Sequence, residues 1–219
     1  MSTQKGFRKF QLKVMGFIAV FIGPVVLIST MLVHRLPFPA SISETATIAN
    51  KTSAILPFCL GALALFALSY AIRHAHDWLD RVILSCMFAG FTVVALQMTT
   101  SPYVMIDGVG ILGLSKAASG ALHTVGAVVG FGAMILWVMI CFTKSEFPQS
   151  LRAPQKHTRN RLYFGLGLAM LFSLSLFIFN FFGFLGYGFP VVFVAEWAML
   201  TFGGIACWLK GGLFLYDKV

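Results

Sequence analysis

Charge is what this chain lacks most. Only 11% of its 219 residues are Asp, Glu, Lys or Arg, and just seven are acidic. With 58% hydrophobic residues and a mean hydropathy of +0.88, a water-soluble domain of this length would run out of interior to bury them. The scarcity of charge therefore excludes an ordinary soluble protein. Cysteine is scarce too. Cys59, Cys86, Cys141 and Cys207 all lie inside apolar runs without CxxC spacing, which excludes a disulfide framework and a zinc ribbon and predicts small buried packing residues. The chain has no HExxH and no GxSxG motif. One clear intramembrane histidine is too few for a bis-histidine haem, and Lys210 stands at the end of the last apolar run rather than in the middle of one, where a Schiff-base lysine would sit. No cofactor and no bound metal are expected. Low-complexity tracts and a repeat between halves are also missing, and the latter argues against an inverted-repeat transporter.

What the chain does have is six apolar runs, at about 14–33, 54–72, 82–100, 119–142, 162–181 and 190–208. Each approaches the roughly 20 residues a membrane-crossing helix needs. The prediction is an all-α fold: one six-helix transmembrane bundle filling residues 1–219, with no separate soluble domain. The first run follows a basic stretch and reads as a retained signal-anchor helix bent at Pro24, because Arg35-Leu-Pro-Phe-Pro is a poor cleavage site.

The positions of the basic residues orient the bundle. Lys5, Arg8, Lys9 and Lys13 precede the first run, and Arg73 and Arg81 flank the second loop. The fourth loop carries Lys144, Arg152, Lys156, Arg159 and Arg161, and the tail Lys210 and Lys218. Thirteen basic residues thus fall on one side, against Arg35, Lys51 and Lys116 on the other. That asymmetry predicts cytoplasmic N and C termini. It also accounts for the net charge of +9 without nucleic acid, as contacts to anionic lipid at the cytoplasmic face.

Polar groups in hydrocarbon are costly and face protein or water. Gln97, His123, Asn180 and Glu196 come from four different runs and fall at similar depth in the outer half of the membrane. His123, Gly126 and Gly130 share one helical face, as do Cys86, Gly90 and Gln97, Ala169, Ser173 and Asn180, and Glu196, Gly203 and Cys207. These stripes predict inward-facing polar groups, with His123 and Glu196 in direct or water-bridged contact. The outer-loop acids Glu44 and Asp107 are placed to close over them. Two readings stand side by side: interhelical hydrogen-bond glue, or a polar pocket that takes a lipid headgroup or performs chemistry. His74-Ala-His76-Asp77 reads as a solvated turn. Ser41-Ile-Ser-Glu44 has capping-box spacing for a short outer helix. Asn50-Lys-Thr52 matches a glycosylation sequon. The clustered phenylalanines from Phe177 to Phe184 read as packing or lipid-facing.

Two segments resemble a known family. Pro39-Ala-Ser-Ile42-Ser-Glu44-Thr45 is similar to the Pro-x-Ile-Ser-Asp-Thr element of the damage-regulated autophagy modulator (DRAM-like) family of six-span proteins. His123-Thr-Val-Gly126-Ala127 resembles that family's His-x-x-Gly-Ala segment. Glu44 stands where the family has Asp, and one extra residue separates Pro39 from Ile42. The resemblance implies a multi-pass protein of membrane-lipid organisation or vesicle and lysosome processes, and it brings no catalytic residue set. The leading expectation is a non-enzymatic protein that binds or organises membrane lipid through the outer pocket, with a second copy or another membrane protein as a partner. The rivals are an intramembrane lipid hydrolase or transferase using His123 with Glu196 or Asp107, and a small-solute or proton-coupled transporter. The expected location is the plasma membrane or a bacterial inner membrane, or an endolysosomal membrane in a eukaryote.

Overall fold

The computed structural model describes residues 2–28, 31, 42, 55–97, 114–144, 155–182 and 191–213. Six α-helices account for nearly all of these: α1 (Ser2–Ile28), α2 (Ile55–His74), α3 (Trp78–Leu96), α4 (Lys116–Leu136), α5 (Gln155–Phe181) and α6 (Val191–Lys210). No strand occurs among the described residues. All six helices are long and apolar enough to cross a membrane. At 1.5 Å per residue, 19 to 27 residues span about 28–40 Å, enough for a hydrocarbon core of about 30 Å. Large apolar side chains also cover the outside. Phe58, Ile72, Trp78 and Phe172 are each at least 66% exposed, a surface suited to lipid and not to water.

The helices start and stop where backbone chemistry dictates rather than where hydropathy does. α1 begins well before the predicted 14, because Lys and Arg are good helix formers whose long stems let the charge reach water. It runs through Pro24. α3 both begins and ends about four residues early. The Asp77 carboxylate accepts the Asp80 N–H at its N-cap, and Gln97, with φ −108° and ψ 125°, leaves the helix at the other end. α4 continues into a π-helical turn, Trp137–Cys141, in which the Phe142 N–H reaches the Trp137 carbonyl at 3.1 Å. That wider turn brings Trp137, Val138, Cys141 and Phe142 all into the interior.

The helices pack as two three-helix layers. In one, α3 lies between α2 and α4; in the other, α6 lies between α5 and α1. Thinner seams, α1 on α2 and α4 on α5, close the layers into a ring. The layers hold together at glycines. A Cβ on Gly90 would stand 2.6 Å from Gly130 Cα and 2.7 Å from the Gly126 carbonyl, so the α3 and α4 backbones touch. The same device joins α1 to α6, where a Cβ on Gly16 would meet the Gly204 carbonyl at 2.6 Å and one on Gly204 the Gly16 carbonyl at 2.8 Å. Trp208 fills the space over Gly16, and its indole donates to the Lys13 carbonyl at 3.1 Å.

The expected stripe on the third run needs correction. Cys86 is exposed, and the buried face of α3 runs instead through Leu84, Met87, Gly90, Phe91 and Val94. Cys141 and Cys207 are buried, and Cys59 is half-buried. Two of the other expected faces hold, His123, Gly126 and Gly130 being buried together, as are Glu196, Gly203 and Cys207; on α5 only Ser173 is buried, with Ala169 and Asn180 half-buried.

Candidate functional site

Six alternating spans place the C-terminal ends of α3 and α5 beside the N-terminal ends of α4 and α6. Gln97 and Asn180 close the first pair. His123 and Glu196 lie seven and five residues inside the second, about 8–10 Å along the helix axis. All four therefore gather at one end of the bundle, opposite the basic end.

Their bonds differ from the expected pairing. Because α3 stops at Gln97, the Gln97 carbonyl is no longer tied to a helix, and His123 Nδ1 donates to it at 2.6 Å. That bond puts the proton on Nδ1 and gives the neutral ring an acceptor at Nε2. Ser119, one turn before His123, donates its hydroxyl to Gln97 Oε1 at 3.3 Å. His123, Ser119 and Gln97 are each at most 5% exposed. Glu196, also 5% exposed, takes the backbone N–H of Ile42 on Oε2 at 2.6 Å. No direct bond joins His123 to Glu196 among the described residues. The reason lies in the layers: His123 belongs to the α2–α3–α4 layer and Glu196 to the α5–α6–α1 layer, and α4 touches α6 only slightly. Ser173 is buried but returns its hydroxyl to the Ala169 carbonyl of its own helix at 2.9 Å. Asn180 is half-buried and joins none of these bonds. Glu44 and Asp107, like the capping box and the sequon, lie outside the described residues.

The Ile42 bond is informative. A buried carboxylate needs donors, and here one comes from the backbone of the connection between α1 and α2, inside the segment whose sequence carries the family-like motif. Glu196 thus ties that connection to the last helix.

At the basic end Asp77, Asp80 and Lys144 form one network and Arg8, Tyr70 and His76 another. The turn 74–77 is more than a solvated loop. Lys144, just past the π turn, bonds Asp77 Oδ2 at 2.8 Å and Asp80 Oδ1 at 2.6 Å. Asp80, buried in the first turn of α3, also accepts the His76 N–H at 3.1 Å. The Lys144 bond, followed by the Asp80 N–H, holds the Asp77 carboxyl below its ordinary range. Burial works against the Lys144 charge, but the two carboxylates outweigh it and raise the ammonium pKa. Arg8 donates Nε–H to the Tyr70 hydroxyl at 2.7 Å and places a second guanidinium nitrogen 3.1 Å from His76 Nε2. An aromatic chain of Tyr70, Trp137, Phe142 and Tyr163 crosses the bundle interior, with successive centroids 5.2, 4.5 and 5.4 Å apart. Lys210 lies over the last two rings and donates to the Phe142 carbonyl at 2.9 Å. One sequence signal could have revealed the network: Asp80 stands three residues after Asp77, inside the first turn of a span, where an acid needs a partner.

These features define a multi-pass α-helical membrane protein with buried polar clusters at both ends. No protein-family profile, curated protein or solved structure matches the chain.

Proposed function

We propose that this protein binds or organises membrane lipid, without catalysis, by holding a headgroup at the end of the bundle opposite the basic residues. The observation that carries the reading is the pair of buried acceptors there, the Glu196 carboxylate and the His123 ring. They are contributed by facing layers, and His123 is fixed in one tautomer by the Gln97 carbonyl. A carboxylate and an imidazole nitrogen suit a headgroup that brings donors and positive charge, such as an ethanolamine ammonium. The DRAM-like resemblance points the same way, toward lipid organisation, and its two motif-like segments are the ones that carry Ile42 and His123. The basic end then faces the cytoplasm and the pocket the opposite leaflet.

Native mass spectrometry of the purified full chain, titrated with phosphatidylethanolamine and phosphatidylcholine, tests this. Wild type should retain the ethanolamine lipid preferentially, and Glu196→Gln should abolish the preference while the protein stays folded. Equal retention of both lipids by wild type, or loss of stability with the preference intact, refutes the reading and leaves the cluster as structural glue.

A further inference from the structure

The cluster opposite the basic end holds more hydrogen-bonding capacity than its two acceptors. The close approach of α3 and α4 sets its register. Gly90 lies against Gly126 and Gly130, and about one turn on, the Val93 side chain covers Gly126, where a Cβ would stand 2.7 Å from Val93 Cγ1. One turn further, Gln97 meets the face of α4 that carries Ser119 and His123.

Gln97 is bonded at three of its four polar atoms. Its N–H ends α3 on the Val93 carbonyl at 2.9 Å, its carbonyl accepts from His123, and its Oε1 accepts from Ser119. The two oxygens thus take hold of side chains four residues apart on one helix face, which fixes the amide group between them. Its Nε2 makes no bond to any described residue, and neither does Nε2 of the His123 ring. Both residues are at most 5% exposed. An amide nitrogen carries two N–H donors, and buried donors seldom stay idle. Two donors on Gln97 and one acceptor on His123, joined through the Gln97 carbonyl, therefore suit a ligand group that brings an acceptor and a donor side by side.

The donor follows from the function proposed above, on which this inference rests: an ethanolamine ammonium supplies an N–H to His123. On such a headgroup the acceptor nearest the ammonium is the phosphate, two carbons away. A charged phosphate oxygen also makes the stronger bond with an N–H donor. Lysine or arginine at position 97 would hold the phosphate but repel the ammonium beside it. A neutral amide does not.

We propose that Gln97 is the residue by which this pocket selects a phosphate-linked amine over an amine alone. Its amide N–H groups donate to the headgroup phosphate while His123 Nε2 accepts an ammonium N–H. Main chain and side chain divide the work, the carbonyl fixing the His123 tautomer and the amide reading the phosphate.

That division can be tested by Gln97→Met, which keeps the carbonyl and removes the amide. The purified full-length protein is titrated, by native mass spectrometry, with phosphatidylethanolamine and with a primary-amine lipid of the same acyl chains that lacks the phosphate. Wild type should bind the phospholipid at least about tenfold more tightly, the scale of one hydrogen bond to a charged group. Gln97→Met should abolish most of that difference by weakening the phospholipid alone. Nitrogen NMR of ring-labelled histidine, with His123→Gln identifying the signal, should show the Nδ1–H tautomer in wild type and in Gln97→Met alike. Equal binding of the two probes by a wild type that still prefers ethanolamine to choline lipid would overturn this inference and leave the headgroup reading standing. Loss of the ethanolamine preference as well would overturn both. That wild-type comparison decides the matter even where Gln97→Met fails to fold. A folded Gln97→Met that weakens both probes equally, or that shifts the His123 tautomer, would show a side chain serving structure alone and would also overturn it. Excess soluble phosphoethanolamine should fail to displace the lipid; displacement would overturn the lipid in favour of a soluble ester.

Discussion

Replacing Gly90 with alanine adds one methyl group at the closest approach of α3 and α4. The added carbon would lie 2.6 Å from Gly130 Cα and 2.7 Å from the Gly126 carbonyl oxygen. Carbon atoms prefer separations of about 3.5–4.0 Å, so the two backbones must part by roughly 1 Å. Both neighbours are main chain, and no rotamer can relieve the clash. Overpacking of this kind costs about 1–3 kcal/mol. Alanine's better helix preference returns up to about 1 kcal/mol, leaving a net loss of up to about 2 kcal/mol. Gly132→Ala is the matched control: nothing lies within 4 Å of its Cβ position, so only the helix-preference gain applies. Unfolding of both variants by sodium dodecyl sulfate titration in mixed micelles, followed by circular dichroism, measures the contrast. Gly90→Ala should unfold at lower and Gly132→Ala at equal or higher denaturant than wild type. Equal shifts for the two variants would refute the claim that α3 and α4 meet backbone to backbone.

Topology is tested by labelling in sealed cells. Tags at residues 1 and 219 should both be protected from outside reagents while a cysteine at position 43 labels, and a single protected terminus would contradict six spans. Lys144→Met should destabilise the protein by about 1–3 kcal/mol in the same titration, because buried Asp80 loses its cation. The pH response follows from the signs. Asp77's lowered pKa makes its contribution complete above about pH 4 and lost as pH falls through that pKa, while Lys144's raised pKa preserves its own until pH climbs past about 10. Wild-type stability should therefore be flat from about pH 5 to 9 as far as this pair goes, and Lys144→Met should flatten the acid-side slope; an unchanged slope would contradict the pairing. Glu196→Gln should cost less stability than Glu196→Leu, because the amide oxygen still accepts the Ile42 N–H. A double-mutant cycle between His123→Ala and Glu196→Leu in lipid-free detergent should be additive within about 0.5 kcal/mol, and a coupling above about 1 kcal/mol would mean that the two side chains touch.

Span number and order were readable because the apolar runs are long and interrupted by charge, and nothing in globular proteins imitates that pattern. The glycine faces of α4 and α6 were readable as well, since His123–Gly126–Gly130 and Glu196–Gly203–Cys207 keep helical periodicity. Helix ends were not, because hydropathy is blind to capping: the Asp77 cap and the early exit at Gln97 each moved α3 by about a turn. That exit also created the acceptor for His123, a free-standing carbonyl of which hydropathy gives no sign. The division into layers was hidden for a different reason. It depends on which of several small-residue faces meet, and Gly16 with Gly204 is separated by nearly the whole chain. The Arg8–Tyr70 bond leaves no local signature at all.

The pairing of the first helix with the last has a consequence for how the protein is made. Helices enter the membrane in order, and α1 packs chiefly on α6, which leaves the ribosome five spans later. Until then Gly16 and Gly23, whose hollows Trp208 and Trp197 fill in the finished protein, face lipid or a chaperone. The opening helix must wait through the synthesis of the other five. A chain cut short before α6 keeps its α2–α3–α4 layer but leaves a grooved, small-residue face uncovered on α1, a surface by which membrane quality control can tell an unfinished copy from a complete one.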